Sequence, residues 1–145
     1  MELDFDRFCR TAISDAPDAI IYADARGMIS FWNRGAERLF GFSEAEALGQ
    51  SLDVIIPENL RDRHRKGYAE TMRTGETRYG AGDILAVPAL RKDGTRISVE
   101  FTILPFKGDD GHMVGIAAFL RDVTERFEEM KALRKGRAEG TTRRE

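Results

Sequence analysis

The 145-residue chain holds a single cysteine, Cys9. One thiol closes no internal disulfide and builds no cysteine-rich metal site. No apolar run approaches the roughly 20 residues that a membrane-spanning helix needs. The opening Met1-Glu2-Leu3-Asp4-Phe5-Asp6 has no basic region followed by an apolar stretch, which argues against export. Neither sign of charge dominates, with 23 Lys and Arg against 25 Asp and Glu and a net charge of -2. No field is present to recruit nucleic acid. The expectation is a cytoplasmic chain without a membrane or nucleic-acid partner. Catalytic patterns are missing too. Gly80-Ala81-Gly82 lacks the lysine and the serine or threonine of a phosphate loop. Asp109-Asp110-Gly111 lacks the ligand set of a calcium loop and reads as a hairpin turn. With no nucleophile, acid–base pair or metal cluster in view, an enzyme is not expected.

What is present is the balance of a folded domain, 41% hydrophobic and 33% charged residues. The length suits one domain with short tails. Phe5, Phe8, Cys9 and Ala12 fall at helical spacing between Asp4 and Ser14, where Cys9 reads as a small packing residue. Ala16-Pro17-Asp18 breaks that helix. Ala19 to Ala25 and Met28 to Trp32 read as a hairpin about Arg26-Gly27. Phe31 and Trp32 alternate, so one packs inward. Asn33 is placed to cap a helix from Arg34 to Phe40 that Gly41 ends, and Ser43 to cap the next turn. Pro57 opens a longer helix to about Arg73, closed by Thr74-Gly75-Glu76. Gly82 to Leu90, Thr95 to Phe106 and His112 to Leu120 are three strand-like runs, and Thr124 to Glu139 is helical and charged.

Two strands, several short helices and three more strands predict an α+β fold. Its five-stranded antiparallel sheet gathers helices on one face, with further helices flanking it at both termini. A pocket between the sheet and the helical layer is the natural ligand site. Within that layer, Leu60, His64, Gly67, Tyr68, Thr71 and Met72 share one stripe of the long helix. Arg61, Asp62, Arg63, Arg65, Lys66, Glu70 and Arg73 fill the other face. The stripe aims His64 at the pocket, with Leu60, Gly67, Tyr68 and Met72 as its wall. A neutral imidazole can ligate haem iron, or it can make a local hydrogen bond in a packed face. Both roles stay open. His112 follows a hairpin turn and is expected at the surface without a ligand role.

The order of motifs resembles a PAS domain, over roughly residues 13 to 126. Ala19-Ile20-Ile21-Tyr22-Ala23-Asp24 with Gly27-Met28-Ile29 is similar to the opening hairpin. Phe31 through Phe42 is similar to the strand-to-helix core. Gly49-Gln50-Ser51, Ile55-Ile56-Pro57, Thr74-Gly75-Glu76, Arg91-Lys92-Asp93-Gly94-Thr95 and Asp122-Val123-Thr124-Glu125-Arg126 follow at familiar intervals. The resemblance implies a sensory or protein-interaction module in signal transduction. Such modules bind haem, flavins, small acids or nothing. Flavin photoreceptors of the family carry a reactive cysteine in the helical layer, and this chain has none there. Cysteinyl-flavin chemistry and thiol attachment of coumaric acid are therefore not expected, while noncovalent flavin stays open. Pro57 to His64, ending in Thr74-Gly75-Glu76, resembles the haem-ligating helix of rhizobial oxygen-sensor kinases, which puts His64 in the place of the proximal ligand. Those sensors contact oxygen with an arginine that Tyr79 to Leu85 does not supply, so the same oxygen contact is not expected.

The resemblance also makes Asp122 and Thr124 a signalling junction, and one of them is placed to cap the last helix. Val123, Phe127, Met130 and Leu133 give that helix a short apolar seam. At the other end, Phe5, Phe8 and Ala12 need a sheet to cover them, which favours a homodimer. The expected organisation is an N-terminal helical cap over 1–13, a sensory domain over 14–122, a signalling helix over 123–139 and a flexible tail over 140–145. Three readings compete: a module that couples pocket occupancy to its flanking helices and an unidentified signalling protein, a haem-binding redox or gas sensor, and a ligand-free dimerisation adaptor.

Overall fold

The computed structural model describes residues 2–76 and 84–144, of which 138–144 by backbone alone. Five strands form one antiparallel sheet in the order β2-β1-β5-β4-β3, with β1 Ala19–Asp24, β2 Ile29–Trp32, β3 Leu85–Leu90, β4 Arg96–Lys107 and β5 Met113–Asp122. The helices are α1 Phe5–Asp15, α2 Arg34–Phe40, α3 Glu44–Ala47, α4 Arg61–Thr74 and α5 Thr124–Arg144. The α+β fold expected from the motif order is the fold observed.

The local signals explain the short helices. Asn33 caps α2 by accepting from Ala36 N at 2.9 Å, and Gly41 closes it at φ 84°. Ser43 and Glu46 form a reciprocal capping box on α3. The core lies between this layer and one sheet face. Trp32, Phe40, Ile21, Ile29 and Val99 are its largest fully buried side chains. The rings of Trp32 and Phe40 lie 5.5 Å apart, and the indole N–H donates to Phe42 O at 2.9 Å. Trp32 is thus the inward member of the Phe31-Trp32 pair. On the other face, Tyr22 lies across Gly115, where a Cβ would meet its hydroxyl at 2.2 Å, and reaches Phe106 edge-on at 5.4 Å.

Three boundaries differ from the sequence reading. The helix expected from Pro57 begins as a 3-10 turn, Glu58–Leu60, and becomes α-helical at Arg61. The last helix continues to Arg144, past residue 139. The third strand begins at Leu85, and the stretch 77–83, which holds the whole glycine-rich turn Gly80-Ala81-Gly82 and with it the start expected at Gly82, lies outside the described residues. No described helix is long and apolar enough to cross a membrane.

Candidate functional site

The helix α4 runs for 14 residues, yet none of its side chains is fully buried. Polar bonds hold it where apolar packing does not. The Arg61 guanidinium donates to Ile56 O at 3.0 Å, tying the first turn to the segment before it. Arg65 donates through Nε to Asp53 Oδ2 at 2.9 Å. On the inner side, the Tyr68 hydroxyl donates to Asp24 O at 2.6 Å and lies 3.1 Å from Ala23 O. Burial and the Asp24 charge push that phenol up, so it stays a protonated donor.

Leu60, at the end of the 3-10 turn, and His64, Tyr68, Thr71 and Met72 of α4 are half-buried, as their spacing predicts. Gly67 departs from that wall. It is exposed, and nothing lies within 4 Å of where its Cβ would be, because it sits at the edge of the stripe. The His64 ring lies 6.0 Å from that of Tyr68, tilted by 36°. Burial pushes the His64 pKa below its ordinary 6.5, against a smaller opposing pull from Asp53. The imidazole is accordingly neutral at pH 7. No hydrogen bond joins it to another described residue. His112 is at the surface, 3.0 Å from Asp110.

A second constellation sits where β5 passes into α5. Asp122 Oδ1 accepts from Thr124 N at 2.8 Å and from its hydroxyl at 2.5 Å. Thr124 Oγ1 in turn accepts from Ser98 N at 3.0 Å, and Val123 N donates to Ser98 O at 2.9 Å. Arg126 pairs with Glu100. The start of α5 is thereby stitched to β4 as well as to its own strand. Beyond it, Phe127, Met130 and Leu133 are exposed. At the N-terminus Phe5, Phe8 and Ala12 are also exposed, the phenylalanines at 67% and 52%.

Asn33 does more than its sequence position announces. Its side-chain oxygen accepts from Ile20 N at 2.8 Å as well as from Ala36 N. Its amide donates to Ile13 O at 2.9 Å and Asp18 O at 3.0 Å. One buried side chain therefore joins α1, the linker, β1 and α2. The cap signal located the residue, and only the fold supplied its other three partners.

A family model described as PAS domain matches residues 17–125. The chain is 36% identical over 117 residues to the sensor protein FixL of Bradyrhizobium diazoefficiens, covering 80% of this chain and 22% of that protein. It is 29% identical over 75 residues to the oxygen sensor protein DosP of Escherichia coli, covering 52% of this chain and 9% of that protein. The chain thus spans under a quarter of the length of each of these two relatives. Among solved structures it resembles the PAS domain of a protein from Colwellia psychrerythraea, with TM-score 0.72, 25% identity and coverage of 84% of this chain and 99% of that one. The PAS domain of Bordetella pertussis BvgS shares the fold at TM-score 0.64 and 19% identity, over 94% and 98% of the two chains. With five strands in this order and matches of this extent, the chain belongs to the PAS domain family, as a sensory domain of signal transduction.

Proposed function

We propose that the chain senses a ligand held between α4 and the sheet, that this ligand is haem with His64 as its axial ligand, and that occupancy is read out through the β5–α5 junction. The observation that carries the reading is the His64 imidazole: half-buried, neutral and without a hydrogen bond to any described residue. Its ring nitrogens are reached by water rather than locked in a local bond, so one of them is open to an incoming ligand. Here the donor chemistry fits an iron: a neutral imidazole on a side of α4 that also carries Tyr68 and Met72, with Leu60 at the end of the 3-10 turn before it. Haem, when bound, supplies an iron that takes up gases or changes redox state. The chain's own part would be to hold that iron at His64, with Leu60 and Met72 as apolar neighbours of the group, and to keep the Tyr68 phenol anchored on β1. The resemblance of Pro57 to His64 to the haem-ligating helix of rhizobial sensors supports the same assignment.

A shift of α4 would bear on β1 through the Tyr68 hydroxyl bonds to Ala23 and Asp24. From there β5, whose Gly115 to Leu120 pair with every residue of β1, leads to the Asp122–Thr124–Ser98 joint. The test is reconstitution with haem. The wild-type chain takes up one equivalent and shows a Soret band, and His64→Ala abolishes or strongly shifts it while the far-ultraviolet dichroism is retained. Stoichiometric uptake unchanged by His64→Ala defeats the axial assignment.

A homodimer is a second reading, carried by the exposed Phe5 and Phe8 on α1 and by Leu104 and Phe106 on the outer sheet face. Two copies that exchange these surfaces bury both. Phe5→Glu with Phe8→Glu shifts the sedimentation coefficient to that of a monomer. A monomeric wild-type chain at tens of micromolar contradicts it.

A further inference from the structure

We infer that the cleft between α2 and the end of β5 binds a small oxyanion, a carboxylate or a phosphate monoester. The cleft, about 360 Å³, lies at the opposite end of β1 and β5 from α4, so the inference stands apart from the haem reading. Three arginines line it: Arg38 from α2, Arg91 from the turn before β4 and Arg121 from β5. The turn is held against α2 because Lys92 N donates to Phe40 O at 2.7 Å and Arg91 N to Thr95 O at 3.0 Å. That docking brings Arg91 to the same cleft as Arg38. Gly35 also lines it and packs directly on the linker, where a Cβ would meet Asp18 O at 2.2 Å, so α2 and the linker close together at this side of the cleft. Leu39 and Leu120 supply an apolar wall.

The charges decide what the cleft accepts. Asp18 and Asp122 also line it, but both are engaged. Asp18 pairs with Arg121 at 3.0 Å, and Asp122 accepts two bonds from Thr124. Arg38 and Arg91 form no ion pair with a carboxylate among the described residues. Asp93, the acid nearest Arg91 along the chain, is held by Thr95 N at 2.9 Å. Two guanidinium forks therefore face one concavity with donors to spare, and planar forks of this kind grip carboxylates and phosphates bidentately. Because the site is open to water, millimolar affinity is expected. Its walls are the linker after α1 and the last residues before α5, so an occupant touches both segments that lead to the flanking helices.

The test is titration of the ¹⁵N-labelled chain with sodium succinate and, separately, inorganic phosphate, at ionic strength matched with sodium chloride. The expected result is saturable amide shifts at Gly35, Leu39, Leu120 and Arg121 with a Kd of about 0.1–10 mM. Arg38→Gln with Arg91→Gln weakens binding at least about tenfold, the loss of one charge-assisted fork or more. Response to succinate alone assigns a carboxylate, and response to phosphate alone assigns a phosphate. Shifts that track salt only, shifts confined to other surfaces, or equal affinity in the double variant overturn the inference. The wild-type shift map decides the matter by itself if the double variant does not fold.

Discussion

The two helices α2 and α4 cover the same sheet and are built on opposite terms. The first has seven residues and buries Gly35, Ala36 and Phe40, with Asn33 at its head satisfied by four partners. The second has fourteen residues, buries none, and is held by Arg61, Arg65 and Tyr68 through polar bonds. Apolar burial scales with area removed from water, whereas hydrogen bonds exchange against water for a small net gain. The contrast makes α2 part of the permanent core and α4 a wall that can yield. On the ligand-sensing reading proposed above, α2 is the frame that stays and α4 the wall that answers a ligand.

The largest effect expected from breaking that contrast is at Phe40. Phe40→Ala empties a fully buried site and costs about 3–5 kcal/mol by urea denaturation. Asn33→Ala comes next. It strands the buried Ile20 N–H and removes the α2 cap, for a loss of about 2–4 kcal/mol in the same assay. In the wall, Tyr68→Phe keeps the ring and removes only the hydroxyl bonds to β1, so about 0.5–1.5 kcal/mol is expected. A loss at Tyr68 equal to that at Phe40 would erase the distinction between frame and wall.

The smallest effect is the pH dependence contributed by His64. Its folded pKa lies below its unfolded value near 6.5, because burial disfavours the charged ring. The unfolded chain therefore binds more protons as pH falls through 6.5, and stability drops with it. The loss levels off once pH is below the folded value. His64→Gln removes this increment, so its stability falls less than wild type between about pH 7 and 5. Denaturation midpoints measured across that window for both proteins check the sign.

Much of the frame was legible because its signals are local. Asn33, Gly41 and the Ser43–Glu46 pair marked helix ends by side-chain chemistry that acts within a few residues. Trp32 and Phe31 gave the strand its two faces by simple alternation. The wall was legible only in part. Helical spacing placed Leu60, His64, Tyr68 and Met72 on one side, but it put Gly67 with them, since a residue at the edge of a stripe is settled by what packs there. The partners of Tyr68 and Asn33 lie far off in sequence and follow from topology, not from pattern. The same holds for the Asp18–Arg121 pair that closes one side of the arginine cleft.

Hydrogen exchange, read by mass spectrometry on the ligand-free chain and on the chain reconstituted with haem, tests the yielding wall most directly. Without ligand, the amides of α4 should exchange well ahead of those of α2. With haem bound, α4 should become protected and the first turn of α5 should change with it, while α2 stays as it was. Equal protection of α2 and α4 in the free chain, or haem uptake that leaves α4 unchanged, would contradict the account.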